Sequence, residues 1–491
     1  MKALKQDGSG SITVFLTLLL AAVLSFCLVL LESARAPLLR TRADQASHAA
    51  MDCLMAGFQR EMFLEYGVLF FDGGYGRSVV SEERIGEEFS AYFLKNAGGR
   101  SLLRLENPSA EICSYVCATD DQGEVFIRNA LLLSEGAESM YGQREEENRA
   151  ALCEGENCFS EGPDPGAILL MDPEEAAGDF LIRIARAEKK LREKGVLSQV
   201  LPMGTAVSGN TLAPSGLPSD LRENMPQYPE GSWCADPGNV YRFYSYLFSQ
   251  YDSFSDRAEE VKRGEAETRA LSYELEYLLF GHRRDEENLI EGISRLLRIR
   301  QGLALKALTG SAEAMSGVRA EAEKAAENMA REDLREVFSS FLLHAWAHAE
   351  ALYELKNLLL GGTEVLSYDP AGIRLQLSQL PAFFQGALSA ESGEISDGGL
   401  SYEEHLRLLF PEQDCSGLSY RAMDLIQSCM QQYRRDFQMS AQISEMEILL
   451  KAEAAPLFSG QRIVRAVSGR RSRVQEYSCR VRGSYMDRPG S

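Results

Sequence analysis

The residues best spaced to do chemistry are the two histidines of His344-Ala345-Trp346-Ala347-His348. At i and i+4 they share one helix face, the spacing with which a helix offers two imidazoles to zinc. The metalloprotease pattern His-Glu-x-x-His is missing, Glu350 and Glu354 lie off that face, and no third ligand is near. A site needs three protein ligands, so His344 and His348 are weak metal candidates, and histidines satisfied within a helical core are the expectation. Two cysteine pairs, Cys113/Cys117 and Cys153/Cys158, are close enough in sequence to pair. Neither has the two-residue spacing of redox or zinc-knuckle pairs, so disulfides or free thiols are expected. Carboxylates abound, Glu274 and Glu276 for instance. Helical Glu is usually a solvated face, so no general acid/base pair stands out. There is no Gly-x-Ser-x-Gly elbow and no phosphate loop ending in Gly-Lys-Ser/Thr. No catalytic residue, cofactor or enzymatic activity is expected.

What must position these residues is dominated by one stretch. From Ile12 to Leu31 there are 20 residues without a charge. At about 1.5 Å per residue they cover about 30 Å, the thickness of a bilayer's hydrocarbon core. Thr13, Thr17 and Ser25 are tolerable there because hydroxyls bond back to helix carbonyls. A secretory signal has a shorter apolar run, about 7–15 residues, so a retained anchor over 10–35 is expected. Glu32 stands where the span ends with Arg35 a turn away, read as an interfacial pair facing water. Lys2 and Lys5 precede the span and Arg35, Arg40 and Arg42 follow it, so the basic count alone does not orient it.

The body is acidic, with 72 acidic against 51 basic residues and a net charge of −21. Such a charge repels nucleic acid and anionic headgroups, so nucleic acid is excluded as a partner. Ten cysteines in 491 residues are too sparse for a disulfide-dense scaffold.

In chain order, 1–9 is a short cytoplasmic segment and 10–35 the transmembrane anchor. Residues 36–72 read as a stalk helix, with Pro37 expected to kink or restart it. Its stripe Leu39, Ala43, Ala46, Ala50, Leu54 and Gly57 packs on the protein's own body or on a copy of itself. Residues 73–195 are mixed α/β: a helix over 82–96, short strands at 103–106 and 112–118, a turn at 120–123, a helix from Val125, an acidic loop over 142–178 and a charged helix over 180–194. Residues 196–239 form a loop or linker rich in Pro, Gly and Ser. Residues 240–438 form a helical domain, with Gly281, Gly310 and Gly361-Gly362 as helix stops. Residues 439–491 hold a half-buried strand near 446–453 and a basic tail able to pair with it. The fold class expected is mainly α (α+β): a transmembrane helix continuing into a long helix, then a large helical body with a small antiparallel β component.

Several stretches together resemble one group, the uncharacterised single-span proteins of anaerobic Gram-positive bacteria associated with tight-adherence (Tad-like) pilus loci. They include Leu31-Glu32-Ser33-Ala34-Arg35, Tyr273-Glu274-Leu275-Glu276-Tyr277, Leu297-Arg298-Ile299-Arg300, Trp346-Ala347-His348-Ala349-Glu350, Ser401-Tyr402-Glu403 and Met423-Asp424-Leu425-Ile426-Gln427. The resemblance implies a single-pass cell-membrane protein with its N-terminus cytoplasmic and its body extracytoplasmic. The start also resembles minor pseudopilins, which are cut after a Gly, so Gly10-Ser11 is a possible processing site. Those proteins often carry Glu at the fifth mature position, where Phe15 stands here. The function expected is a structural or assembly component of a Tad-like pilus or secretion apparatus. Its expected partners are the bilayer, apparatus proteins and, through helix packing, further copies of itself. An adhesion module is the alternative, and an envelope metal-dependent hydrolase a more distant one.

Overall fold

A computed structural model describes residues 9–97, 103–132, 143–171, 179–201, 205–213, 215–222, 232–256, 269–366, 370–386, 393–454 and 476–486. Most of the 1–9 segment, the tail arginines Arg462 to Arg473 and residues 257–268, part of a helix that the sequence pattern predicts over 256–280, lie outside them. The fold is mainly helical with a small antiparallel sheet, as the sequence patterns imply. The chain divides into two compact units. One holds Met1–Phe63, Val68–Asp120 and Asp436–Ser491, and the other Leu64–Gly67 and Asp121–Arg435.

The first unit is built on α1 (Ser9–Met55), a single helix of 47 residues. The helix does not restart at Pro37: it runs through, with Pro37 inside. Proline's fixed φ is itself helical, so what is lost is one backbone bond in a helix held by packing on its far side. A short helix, α2 (Arg60–Tyr66), leads to β1 (Phe71–Asp72). The turn after it forms because Asp72 accepts the N–H groups of Gly74 at 3.1 Å and Gly76 at 2.7 Å. Next come α3 (Glu82–Ala97) and β2 (Leu105–Cys117). The strands expected at 103–106 and 112–118 are one strand. Asn107, at φ 50, and Pro108 interrupt its sequence pattern, and the register shifts there rather than ending.

Strand β3 (Gln442–Ala454) is the centre of the sheet, and β4 (Glu476–Ser484) completes it. All pairings are antiparallel. Because β2 and β4 share register positions on β3, they lie on its opposite edges. The alternation seen around 446–453 is real: Met446, Ile448, Leu450 and Ala452 are buried. They meet the stripe Leu39, Ala43, Ala46, Ala50 and Leu54 of α1, with Phe89 and Phe93 of α3, in one apolar core. The stripe is thus consumed within the protein, and small residues are what allow the approach. A Cβ on Gly483 of β4 would come 2.6 Å from Met51 Sδ, and one on Gly86 of α3 2.8 Å from the Ala110 carbonyl. Gly57 lies beyond the end of α1.

The second unit is helical. Its helices are α4 (Glu124–Leu132), α5 (Gln143–Cys158), α6 (Pro165–Leu170), α7 (Phe180–Arg192), α8 (Val196–Val200), α9 (Pro237–Gln250), α10 (Glu274–Phe280) and α11 (Asp285–Gly310). They continue with α12 (Ala312–Asn328), α13 (Arg335–Leu359), α14 (Leu380–Phe384), α15 (Tyr402–Arg407) and α16 (Cys415–Tyr433). The acidic stretch read as a loop over 142–178 contains α5 and α6. Glu145 and Glu146 sit in the first turn of α5, where the helix dipole favours anions. The long-range contact that fixes α5 is invisible in its own sequence: Gly155 and Gly302 cross so closely that a Cβ on Gly302 would sit 1.8 Å from the Gly155 carbonyl oxygen.

Candidate functional site

The first candidate site is α1 itself. From Ile12 to Leu31 its large apolar side chains are 41–66 % exposed, so nothing in the described protein covers them. The helix is long and apolar enough to cross a membrane. Thr17 Oγ1 donates to the Val14 carbonyl at 2.8 Å and Ser25 Oγ to that of Ala21 at 2.7 Å, so these hydroxyls are satisfied without water. Gly10 and Ser11 fall in the first turn of α1, and their side chains lie outside those described. At the other end of the apolar stretch Arg35 donates to Glu32 at 3.0 Å. The pair does not face water as expected: Arg35 is only 5 % exposed, while Glu32 is 42 % exposed. Tyr477 of β4 bonds the Ala36 carbonyl beside it at 3.4 Å. The end of the apolar stretch is therefore where the helix begins to be covered by the sheet.

The second candidate, the histidine pair, does not form a site. The His344 ring accepts from Ser160 at Nε2 (3.0 Å) and donates from Nδ1 to the Ser340 carbonyl (2.7 Å), which occupies both nitrogens. His348 Nδ1 lies 3.1 Å from Glu188 Oε1, which also binds Arg192. Burial alone would raise the Glu188 carboxyl, yet His348 and Arg192 hold it below the usual range. Among the described residues no three His, Cys, Asp or Glu side chains gather to hold a metal.

The third is a set of buried polar side chains, and the sequence pointed elsewhere. Glu274 and Glu276 are not a solvated face: both are fully buried. Glu274 accepts from Arg269 (2.6 Å) and from the Asp252 N–H (3.2 Å). Glu276 accepts from the Phe254 N–H and the Tyr402 hydroxyl, each at 3.0 Å. Burial pushes each up to about 7, despite these donors. Asp285 takes the N–H groups of Ser272 and Tyr273, and Glu350 those of Arg374 and Leu375. Asp424 takes the Ser219 N–H and the Tyr277 hydroxyl.

One rule covers the set. Each of these carboxylates receives backbone N–H groups from loops or from the first turn of a short helix, where no regular ladder satisfies them. Buried irregular backbone needs acceptors, and these side chains supply them.

Arg300 is the cation of this interior. It is buried on α11, bonds the Val365 carbonyl at 2.5 Å, reaches His405 Nε2 at 2.8 Å and lies 3.6 Å from Glu354. His405 Nδ1 lies 2.6 Å from the Ser401 carbonyl, which fixes the neutral tautomer with Nε2 accepting from Arg300. Burial and the Arg300 charge drive His405 down to about 3. Burial raises Glu354 to about 8, with Arg300 opposing and Glu350 and Glu364 reinforcing. Sequence reasoning gave Arg300, Glu354 and His405 no role. The signal was there: Arg300 interrupts the apolar series Leu296, Ile299 and Leu303, and Glu354 sits between Ala351 and Leu355.

Nor do the cysteine pairs close. Cys113 is exposed and Cys117 buried on one strand, about 13 Å apart for four residues. Cys153 and Cys158 share α5, about 7.5 Å apart along its axis and on diverging faces. Disulfide bridging tolerates neither.

This unit also has a cavity of about 690 Å³, lined by Phe180, Leu308, Trp346, Ile373, Leu375 and Leu377, with Glu313 and Glu321 among its polar residues. None of the perturbed carboxylates lines it.

These features make up a chain with one helix long and apolar enough to cross a membrane, a sheet unit that packs on that helix's second half, and a helical unit with a polar interior. The chain belongs to the family of unknown function DUF5702, which matches residues 181–454, more than half of its length. The match takes in α7 to α16 and β3, and with them every carboxylate of the buried set. No curated protein and no solved structure matches the chain.

Proposed function

We propose that this protein is a membrane-anchored, extracytoplasmic structural or assembly component of a Tad-like pilus or secretion apparatus, and that it acts without catalysis. The observation that carries this reading is the division of α1. One half offers mostly apolar side chains to its surroundings, and the other is the packing spine of an antiparallel sheet. A helix built in this way embeds one half in lipid and displays the folded unit on the other, the same division of labour that a pseudopilin-like start implies. The acidic body supports a protein that stands off anionic headgroups. The outward orientation is supported by the family resemblance of the N-terminal stretches.

The test is chemical cross-linking in native membranes followed by purification of the full chain. Recovery with pilus or secretion-apparatus proteins is expected. A chain that isolates alone and monomeric at every cross-linker length would count against the proposal. N-terminal mapping of the same sample adds detail, since a start at Ser11 places the protein with processed pseudopilins and an intact start makes it a permanent bitopic anchor.

A further inference from the structure

Cys234 and Cys415 are 181 residues apart in the chain, yet their Sγ atoms stand 3.3 Å apart. Both side chains are buried. Each is held by its own backbone contacts. The Cys234 N–H donates to Glu124 Oε1 at 3.1 Å, and the Ser232 hydroxyl bonds the same oxygen. Cys415 opens α16, whose N-cap Asp414 accepts from the Gly417 N–H at 3.0 Å. Two thiols fixed this way differ from cysteines that merely share a core. A disulfide needs about 2.05 Å, so closing the bond takes a movement of about 1.2 Å, within the reach of small side-chain rotations.

We propose that Cys234 and Cys415 form a structural disulfide that ties the turn Trp233–Ala235 to the start of α16. The oxidant is a disulfide of the low-molecular-weight or dithiol-oxidoreductase class. One cysteine thiolate attacks the oxidant's S–S bond, forms a mixed disulfide and expels one reduced thiol. The second cysteine then attacks the mixed disulfide, the Sγ–Sγ bond forms, and a second reduced thiol leaves. Both cysteine protons and two electrons end on the oxidant.

In the folded protein the reduced pair is sluggish. A helix N-terminus ordinarily favours thiolate. Around Cys415, however, the neighbouring thiol, burial and the carboxylates Asp414 and Glu124 all push its thiol up. Formation therefore belongs to folding or to transient opening. Once made, the bond is sealed from reductants, which marks it as structural and not as a redox switch.

The full chain in detergent, equilibrated with reduced and oxidised glutathione in moderate urea and quenched with N-ethylmaleimide, tests this without reference to membrane topology. Failure here is thus distinct from failure of the proposed function. Peptide mapping should find the Cys234–Cys415 link as the main disulfide. The oxidised chain should also melt about 5–10 °C above the Cys415→Ser variant, as closure of a long loop implies. Maleimide or glutathione on both cysteines, or links scattered over other cysteines, would overturn the proposal. If the variant does not fold, the mapping of the unaltered chain still decides.

Discussion

Behind the sheet of the first unit, α1 and α3 meet β3 and β4 through Leu39, Leu54, Phe89, Phe93, Ile448 and Leu450, an almost wholly apolar core. The interior of the second unit holds eight buried carboxylates among its described residues, together with Arg300, His348 and His405. The difference follows from how each backbone is satisfied. In the first unit, helices and the strand ladder use up most of the N–H and C=O groups, with Asp72 serving one turn, and most buried side chains only fill space. In the second, long segments without regular structure pass through the interior, and Asp and Glu side chains accept their N–H groups. Apolar patterning specifies one unit, and placed polar partners specify the other.

Breaking the polar interior should have the largest effect. Arg300→Ala leaves Glu354 and His405 buried without their cation and should destabilise the protein by about 3–5 kcal/mol in denaturant unfolding. The comparison sharpens with a triple change, Arg300→Met with Glu354→Leu and His405→Phe. Replacing all three with apolar groups should recover most of the loss, whereas no recovery would mean that Arg300 does more than balance charge. In the first unit, Ile448→Ala should cost about 2–5 kcal/mol through the cavity it leaves, with no pH dependence of its own.

A smaller effect separates the units by pH. Glu274 and Glu276 are pushed up to about 7 and Glu354 to about 8, from an ordinary 4.5. Between these values the native state binds more protons than the unfolded chain, so their contribution to stability falls as pH rises. His405 works in the opposite sense. Held down to about 3 from 6.5, it costs stability only as pH falls below 6.5. From pH 6.5 to 8 the carboxylates act alone in this set, and the melting temperature should decline across that window. Glu354→Gln should flatten the decline, measured by thermal unfolding at fixed ionic strength. An unchanged slope would show that Glu354 ionises freely.

Much of the first unit was legible in the sequence. The uncharged run from Ile12, the stripe from Leu39 to Leu54 and the alternation of β3 are periodic signals, and each became the element its period implies. In the second unit helix positions were legible and the interior was not. Glu274 and Glu276 read as solvent-facing because partners such as Asp252 for the first and Phe254 and Tyr402 for the second are distant in sequence. The crossing of Gly155 with Gly302 turned an acidic loop into a packed helix for the same reason. Arg35 read as an interfacial residue because β4, which covers it, lies more than 400 residues away in the chain. His344 and His348 matched a metal spacing, but the His344 nitrogens meet Ser160 and Ser340 and His348 Nδ1 meets Glu188 instead. Spacing along one helix fixes a shared face and says nothing of what the face meets.

The central claim is that α1 is divided, with lipid on its first half and protein on its second. Membrane extraction tests it most directly, comparing the full chain with a chain starting at Pro37, which keeps Leu39 and the rest of the core. The full chain should stay in the membrane pellet through alkaline carbonate and leave only with detergent. The shorter chain should be soluble, folded and monodisperse. A full chain released by carbonate, or a shorter chain that remains in the membrane, would contradict the account.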